Sequence, residues 1–407
     1  MGGRVIFVNR YCYPDHSATS QLLTDLSEAL ATAGREVHVV ASRQRYQDPR
    51  ARVAPVQQHA GVAIHRTWST RFGRRRMVGR LLDYASFMVT ACAWLFANVR
   101  RGDILVLMTD PPMLALLASW ATAFRGARLV NWIQDLFPET AQVLGPRAIA
   151  PLAPPLRGLR DRLLARAYAN VVIGERMLEM LRARCGGARF HLIHNWAPGE
   201  AIEPIARDLN SLRYEWGLSE AFVVGYSGNM GRAHEFQTVL DAAGLVRNPI
   251  VRFLFIGAGS QRDAVEEIVR ARNMVNILFQ PYQPIERLSE SLGVADVHLV
   301  SLNPRLEGCI VPSKFYGVAA AGRPTLFVGA NQGEIGSLID HHRCGASVAE
   351  GDAQRMSQLI DAWAADRSQA GAMGERARAL YEREFSLQRA VSQWQQAIAV
   401  VATDSAR

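Results

Sequence analysis

Two successive series of short apolar runs, alternating with helix-length patterns, leave this chain few folds to adopt. The first series is Val5–Asn9, Val37–Ala41, Asp103–Met108, Leu129–Ile133, Val171–Gly174 and Phe190–Asn195; the second is Phe222–Gly228, Val251–Gly257, Val275–Phe279, Asp296–Leu302 and Pro324–Gly329. Segments between them, such as Ser20–Gly34, Glu235–Leu245 and Ser260–Arg272, are long enough for helices. Strands that are apolar throughout are buried on both faces, and regular strand–helix alternation gives parallel sheets covered by helices. In 407 residues the two series predict two Rossmann-like α/β domains. We expect the first domain at residues 1–197, a linker at 198–208 and the second domain at 209–385. The linker is placed where WAPGEAIEPIARD brings Pro, Gly and Glu together without periodicity. The amphipathic pattern Leu387–Val401, within 386–407, is expected to pack back on the first domain.

Charge divides the halves. Residues 1–197 hold 26 Arg and 13 Asp+Glu, a balance of +13, and the remainder stands at −4. A basic half suits nucleic acid, anionic lipid or a phosphorylated substrate. No zinc-knuckle, RNA-recognition or homeodomain signature is present, so nucleic acid is not expected as a partner. Arginines flank apolar helical stretches instead, which points to a lipid surface. Leu81–Val99 is nearly continuously apolar, broken by Asp83 and Asn98, and follows Arg71, Arg74, Arg75, Arg76 and Arg80. At 19 residues it only just reaches bilayer thickness, and its polar breaks favour a helix between sheet and membrane over a span. Pro155–Ala169 gathers Leu156, Leu159, Leu163 and Leu164 on one face among Arg157, Arg160, Arg162 and Arg166. That is the pattern of a basic interfacial helix, and equally of a surface helix with a solvated face. Arg74, Arg75, Arg76, Arg157 and Arg160 are the candidate membrane contacts.

Five widely spaced cysteines without a CxxC pair argue against a disulfide framework or zinc site, and the chain opens directly on a strand-like run. A cytoplasmic location, peripheral to the inner membrane face, is the expectation.

Of 46 Lys+Arg, one residue is a lysine, Lys314. A compact ammonium at a position where every other cation is Arg suggests a specific task. It lies in PSKFYGVAAAGRP, where a Pro312–Ser313 turn opens a helix pattern whose free N–H groups favour phosphate. Just upstream, Glu307 and Gly308 follow a strand whose carboxyl end faces the ligand crevice of an open α/β sheet. A carboxylate there can accept hydrogen bonds from sugar hydroxyls, although a glutamate in a loop is ordinarily just solvated. VVGYSGNMGRAHEF adds a glycine-rich strand–turn–helix with Gly228, Asn229, Gly231 and the cation Arg232. Asp135, in WIQDLFPE, follows another strand and is the acceptor-side polar candidate, or an ordinary cap for the next turn.

These segments, in this order, resemble the donor half of the GT4 family of retaining glycosyltransferases, the branch that builds bacterial cell-surface polysaccharides. In the first half, CYPDHSATSQLLTDLSEALATAGREVHVV, WIQDLFPE and IHNWAP resemble the family's opening loop, acceptor-side motif and lead into the linker. The resemblance implies the GT-B fold, two Rossmann-like domains with parallel sheets facing a central cleft. It implies that Arg232 and Lys314 bind the donor diphosphate, Glu307 contacts the donor sugar, and the loop around Tyr282 borders the base. Gly228, Asn229, Gly308 and Ser313 complete the expected donor set, with Asp135, Glu307 and Lys314 as the catalytic group. Three departures stand out. The family's second glutamate, eight residues after the first, is replaced by Phe315; His16, Ser17 and Ala18 stand where the opening loop carries glycines; and no lysine follows Arg232.

The implied reaction moves a sugar from a nucleotide-sugar, with UDP as the expected nucleotide, to a lipid-linked or saccharide acceptor, with retention and without a protein nucleophile. Orientation and charge then carry catalysis. No Asp-x-Asp or His/Asp cluster suggests a metal, and no cofactor is expected. A sugar-nucleotide epimerase on the same fold and a non-catalytic membrane adaptor are the alternatives; a dehydrogenase is disfavoured because no GxGxxG follows Val5–Asn9.

Overall fold

The computed structural model describes residues 3–15, 17–46, 48, 53–73, 77–197 and 202–403. The chain divides into two compact units, Met1–His194 with Leu387–Arg407, and Asn195–Ser386.

The first unit is built on an eight-stranded sheet. Its strands are β1 (Val5–Val8), β2 (Val37–Ser42), β3 (Val56–His59), β4 (Val62–Thr67), β5 (Ile104–Met108), β6 (Arg128–Ile133), β7 (Ala169–Val172) and β8 (Phe190–Leu192). Their order is β3-β4-β2-β1-β5-β6-β7-β8, parallel except for β3 against β4. The hairpin β3–β4 was not anticipated. Its edge strand reads VQQH with alternating exposed and half-buried positions, so it shows no apolar run. Ile6, Val8, Leu105 and Leu107 pack under Phe87, Ala91 and Leu95 of the helix Met77–Asn98. The closing helix Leu387–Thr403 belongs here because Trp394, fully buried, meets Trp132 of β6 edge-on at 4.9 Å. Each buried tryptophan removes roughly 150–250 Å² from water, so this contact holds the helix firmly.

The second unit has a six-stranded, wholly parallel sheet. Its strands are β9 (Phe222–Ser227), β10 (Val251–Ile256), β11 (Ile277–Gln280), β12 (Val297–Ser301), β13 (Thr325–Val328) and β14 (Gly345–Val348), in the order β11-β10-β9-β12-β13-β14. β14 reads GASV, too short and too weakly apolar to register as a strand in the sequence. Residues 202–208, read as linker, lie in this unit.

Chain order reverses between β1 and β5 in the first sheet and between β9 and β12 in the second. At such points the loops leaving neighbouring strands part in opposite directions and open a crevice at the strands' carboxyl ends. The donor-side candidates leave β9 and β12, astride the second of these reversals.

Candidate functional site

Beyond β9 the backbone turns sharply at Gly228, whose φ is 126°, a conformation that L side chains rarely adopt. A Cβ there would stand 2.7 Å from Lys314 Cε, so the glycine gives the lysine its channel. Gly259, after β10, has φ 153°, and a Cβ on it would lie 2.5 Å from Met230 N and O. The two loops therefore press together as bare backbone, fixing the turn.

Lys314 opens the short helix Lys314–Ala320 beyond β12. Its Nζ donates to Asn229 O at 3.3 Å, lies 2.8 Å from His234 Nε2, and sits 5.0 Å from the Tyr226 ring centre. His234 Nδ1 is 2.7 Å from Ser301 O, a carbonyl that only accepts. Nδ1 therefore carries the proton and Nε2 accepts from Lys314. Burial pulls the Lys314 pKa down to about 7. Burial, and then Lys314 itself, hold His234 down at about 4. No carboxylate pairs with Lys314 among the described residues. Lys314 is half-buried, and a partly desolvated cation with no counter-ion is costly unless a ligand supplies one.

Glu307, in the loop after β12, turns to another partner: its Oε1 accepts from Glu334 N at 2.6 Å. Gly308 beside it has φ 72°. Arg232 and Asn229 are exposed, and Arg232 forms no ion pair among the described residues. Ser313 precedes the helix as an exposed residue whose side chain makes no capping bond. Tyr282, beyond β11, is 53% exposed, with its hydroxyl 3.5 Å from Ala258 O. The structure thus joins Lys314 to the Gly228–Asn229 turn, while Arg232 stays in solvent. Phe315, where the family's second glutamate was expected, is fully buried against Tyr316 and Phe385. A carboxylate in that position would be desolvated.

His234, Ser301 and Gly259 were not singled out from the sequence. His234 stands two residues after Arg232 in the same turn, and that proximity to the glycine-rich segment was the available signal.

In the first unit, Asp135 follows β6, half-buried beside a 60 Å³ cavity that Asn131, Phe137 and Leu164 also line. Burial, with a smaller push from Asp110, raises its pKa to about 6 against a hydrogen bond from Thr109. It does not cap the next helix, whose N-cap is Pro138.

The basic helix, Ala153–Arg166, corrects part of the membrane expectation. Arg160 is buried, its guanidinium bound to Glu139 at 2.6 Å and Asp161 at 2.7 Å. Arg157 is half-buried and paired with Glu139 at 2.8 Å. Both are therefore internal ion-pair partners; Arg162 and Arg166 are the exposed cations of this helix. Arg74, Arg75 and Arg76 lie outside the described residues, as does His16.

Residues 19–196 match the Glycosyl transferase 4-like domain and residues 221–366 the Glycosyl transferases group 1 domain. The chain is 30% identical over 300 residues to the probable glycosyltransferase WbjE of Pseudomonas aeruginosa, covering 72% of this chain and 73% of that one. The chain belongs to the GT4-type glycosyltransferases. It is 25% identical to the putative colanic acid biosynthesis glycosyl transferase WcaI of Escherichia coli, over 80% of this chain and 83% of the relative. Anabaena HepE, solved with UDP and glucose, superposes with a TM-score of 0.72 at 16% identity, over 98% of this chain and 100% of HepE. The likeness to this solved structure gives the GT-B fold. The epimerase and adaptor alternatives fall with the family match.

Proposed function

We propose that this glycosyltransferase takes a nucleoside-diphosphate sugar, with UDP as the nucleotide, and transfers the sugar with retention to a lipid-linked or saccharide acceptor in surface polysaccharide synthesis. The observation that carries the reading is Lys314, a half-buried ammonium at the β9/β12 reversal with no carboxylate partner among the described residues. The donor's diphosphate is its counter-ion, and Arg232 closes on the same phosphates from solvent. Glu307 and Gly308 meet the sugar, and Tyr282 borders the base.

Transfer breaks the bond between the anomeric carbon and the diphosphate oxygen while the acceptor hydroxyl forms its own bond on the same face. The hydroxyl proton leaves with the diphosphate. The protein supplies position and positive charge where negative charge develops, and Asp135 orients the acceptor. Two organic cations perform the neutralisation on this reading, which therefore invokes no metal or cofactor. HepE supports the choice of UDP through the ligand it was solved with.

The same reading has the enzyme work at the cytoplasmic face of the membrane as a peripheral protein. Leu82, Val89, Ala93 and Phe96 form an exposed stripe on the helix Met77–Asn98, and Trp120 and Phe124 of the neighbouring helix Ala115–Arg125 continue it.

The test is a panel of UDP-, GDP-, ADP- and dTDP-sugars, followed for release of nucleotide, with and without EDTA. Release from a UDP-sugar, unchanged by EDTA and lost in Lys314→Ala, is expected. Consumption of none of them overturns the donor assignment, and loss on chelation overturns metal independence.

A further inference from the structure

We propose that His234 is a positioning residue for donor binding: its neutral imidazole accepts a hydrogen bond from Lys314 and holds the ammonium against the Gly228–Asn229 turn until the donor's diphosphate takes it over. The proposal rests on the reading of Lys314 as the diphosphate ligand.

Ser301 is the last residue of β12, held by the sheet, and its carbonyl fixes His234 through Nδ1 at 2.7 Å. His234 Nε2 in turn receives Lys314 at 2.8 Å. Asn229 O takes a second bond from Nζ at 3.3 Å and one from the Tyr226 hydroxyl at 2.7 Å. An ammonium has three donors, and two are engaged here. The third is left for a ligand. A carboxylate in the place of His234 would neutralise Lys314 and compete with an incoming phosphate. A neutral ring orients the charge without cancelling it, which is the physical reason for histidine at this position.

The groups facing Lys314 bring no negative charge to it. From β9 comes Tyr226, whose phenol burial drives far above its usual range, with Tyr282 beyond it. From the turn come His234 and, as sequence neighbours, Glu235 and Arg232. Glu235 accepts from Thr238 N, and Arg232 is in solvent. From the loop after β12, Glu307 is turned to Glu334 N. An arriving diphosphate is then the first anion beside an ammonium whose pKa burial has lowered to about 7. Binding raises that pKa, so above neutral pH the complex takes up a proton. Affinity falls as pH rises past the free-protein value, by at most about tenfold per pH unit. His234, held at about 4, stays neutral throughout.

The experiment is calorimetry of UDP and of GDP binding from about pH 6 to about pH 9, in buffers of different ionisation enthalpy, on wild type, Lys314→Ala, His234→Asn and His234→Gln. Asparagine keeps an amide donor for Ser301 O but is too short to reach Lys314; glutamine puts an amide oxygen near the Nε2 position. Proton uptake by wild type, an affinity loss of about tenfold in His234→Asn, and recovery to within about threefold in His234→Gln are expected, since one charge-assisted hydrogen bond is worth that much. A purely structural role would instead favour Asn over Gln. Wild-type binding without proton uptake, or wild-type affinity in His234→Asn while Lys314→Ala has lost binding, overturns the role of His234 and leaves the donor site standing. Wild-type affinity in Lys314→Ala overturns the donor site itself.

Discussion

Glu307 reaches across the loop to Glu334, its Oε1 accepting the first backbone N–H of the helix Glu334–His342 at 2.6 Å. A Cβ on Gly333 would lie 2.3 Å from Glu307 Oε2, so the carboxylate and the helix start fit each other as backbone against side chain. An anion at a helix N-terminus is favourable by about 0.3–1 kcal/mol. The same contact holds the carboxylate in one orientation, which is what a sugar-binding group needs.

Glu307→Gln separates these two roles. The amide oxygen still accepts from Glu334, so the fold should lose no more than about 1 kcal/mol in denaturant unfolding. Donor turnover should fall by a larger factor, roughly tenfold or more, because the charged acceptor for the sugar hydroxyls is gone. Unchanged turnover with lowered stability would show that Glu307 serves the helix alone.

Lys314→Ala should raise the transfer barrier by roughly 2–4 kcal/mol, the scale of one preorganised electrostatic contact, with the unfolding midpoint unchanged or higher. Stability should not suffer, because the substitution removes a desolvated charge. Lys314→Arg should also be impaired: the wider, planar guanidinium must pass Gly228 and spreads its charge away from the point that Nζ occupies. Full single-turnover rates in both variants would remove Lys314 from the chemistry.

The two sheets were legible because their strands are apolar on both faces, and Lys314 was legible as the lone lysine among arginines. Other features leave no such trace. The β3 edge strand is polar, and β14 is four small residues. His234 matters through Ser301, which lies 67 residues further along the chain, so the contact is a product of tertiary packing. Arg160 misled for the same reason. Its spacing on the helix matches a basic face, but Glu139 and Asp161 draw it inward.

Asp135 should give a pH signature. Its folded pKa, raised to about 6 by burial, exceeds the usual carboxylate value. The proton it holds therefore stabilises the fold at low pH, and this contribution is lost as pH rises through about 6. Asp135→Asn should be more stable than wild type above that point, by up to ~3 kcal/mol, with the gap closing below about pH 4. Transfer by the variant should fall if the ionised carboxylate orients the acceptor. A stability gap that does not change with pH would refute the burial of this charge.

The proposed membrane attachment is expected to be peripheral, with an apolar and a charged part. The helix Met77–Asn98 is long and apolar enough to cross a bilayer, and only 28% of its most apolar stretch is buried. Asp83 argues against insertion: it is fully buried and accepts from Thr70 Oγ1, Phe72 N and Gly73 N, bonds that a spanning helix would have to surrender. What remains outside is a continuous patch, with Val89 61% exposed, Trp120 71% and Phe124 77%, the last packed beside Phe96 at 6.2 Å. Trp120 also lines a groove shared with Arg101, Arg128 and Arg166, so cations border the apolar surface. Each cation near an anionic bilayer contributes about 1 kcal/mol, screened beyond roughly 8–10 Å at physiological salt. Inserted aromatic rings add a part that salt does not remove. Co-sedimentation with vesicles containing phosphatidylglycerol should therefore drop in high salt without vanishing. Trp120→Ser combined with Phe124→Ser should weaken it by roughly tenfold or more, and Arg101→Gln with Arg166→Gln should remove most of the salt dependence. Hydrolysis of a soluble donor should stay at the wild-type rate in all of these variants. Absence of sedimentation with anionic vesicles would sink peripheral attachment, and binding that survives both salt and alkaline extraction would show that the helix Met77–Asn98 spans the bilayer after all.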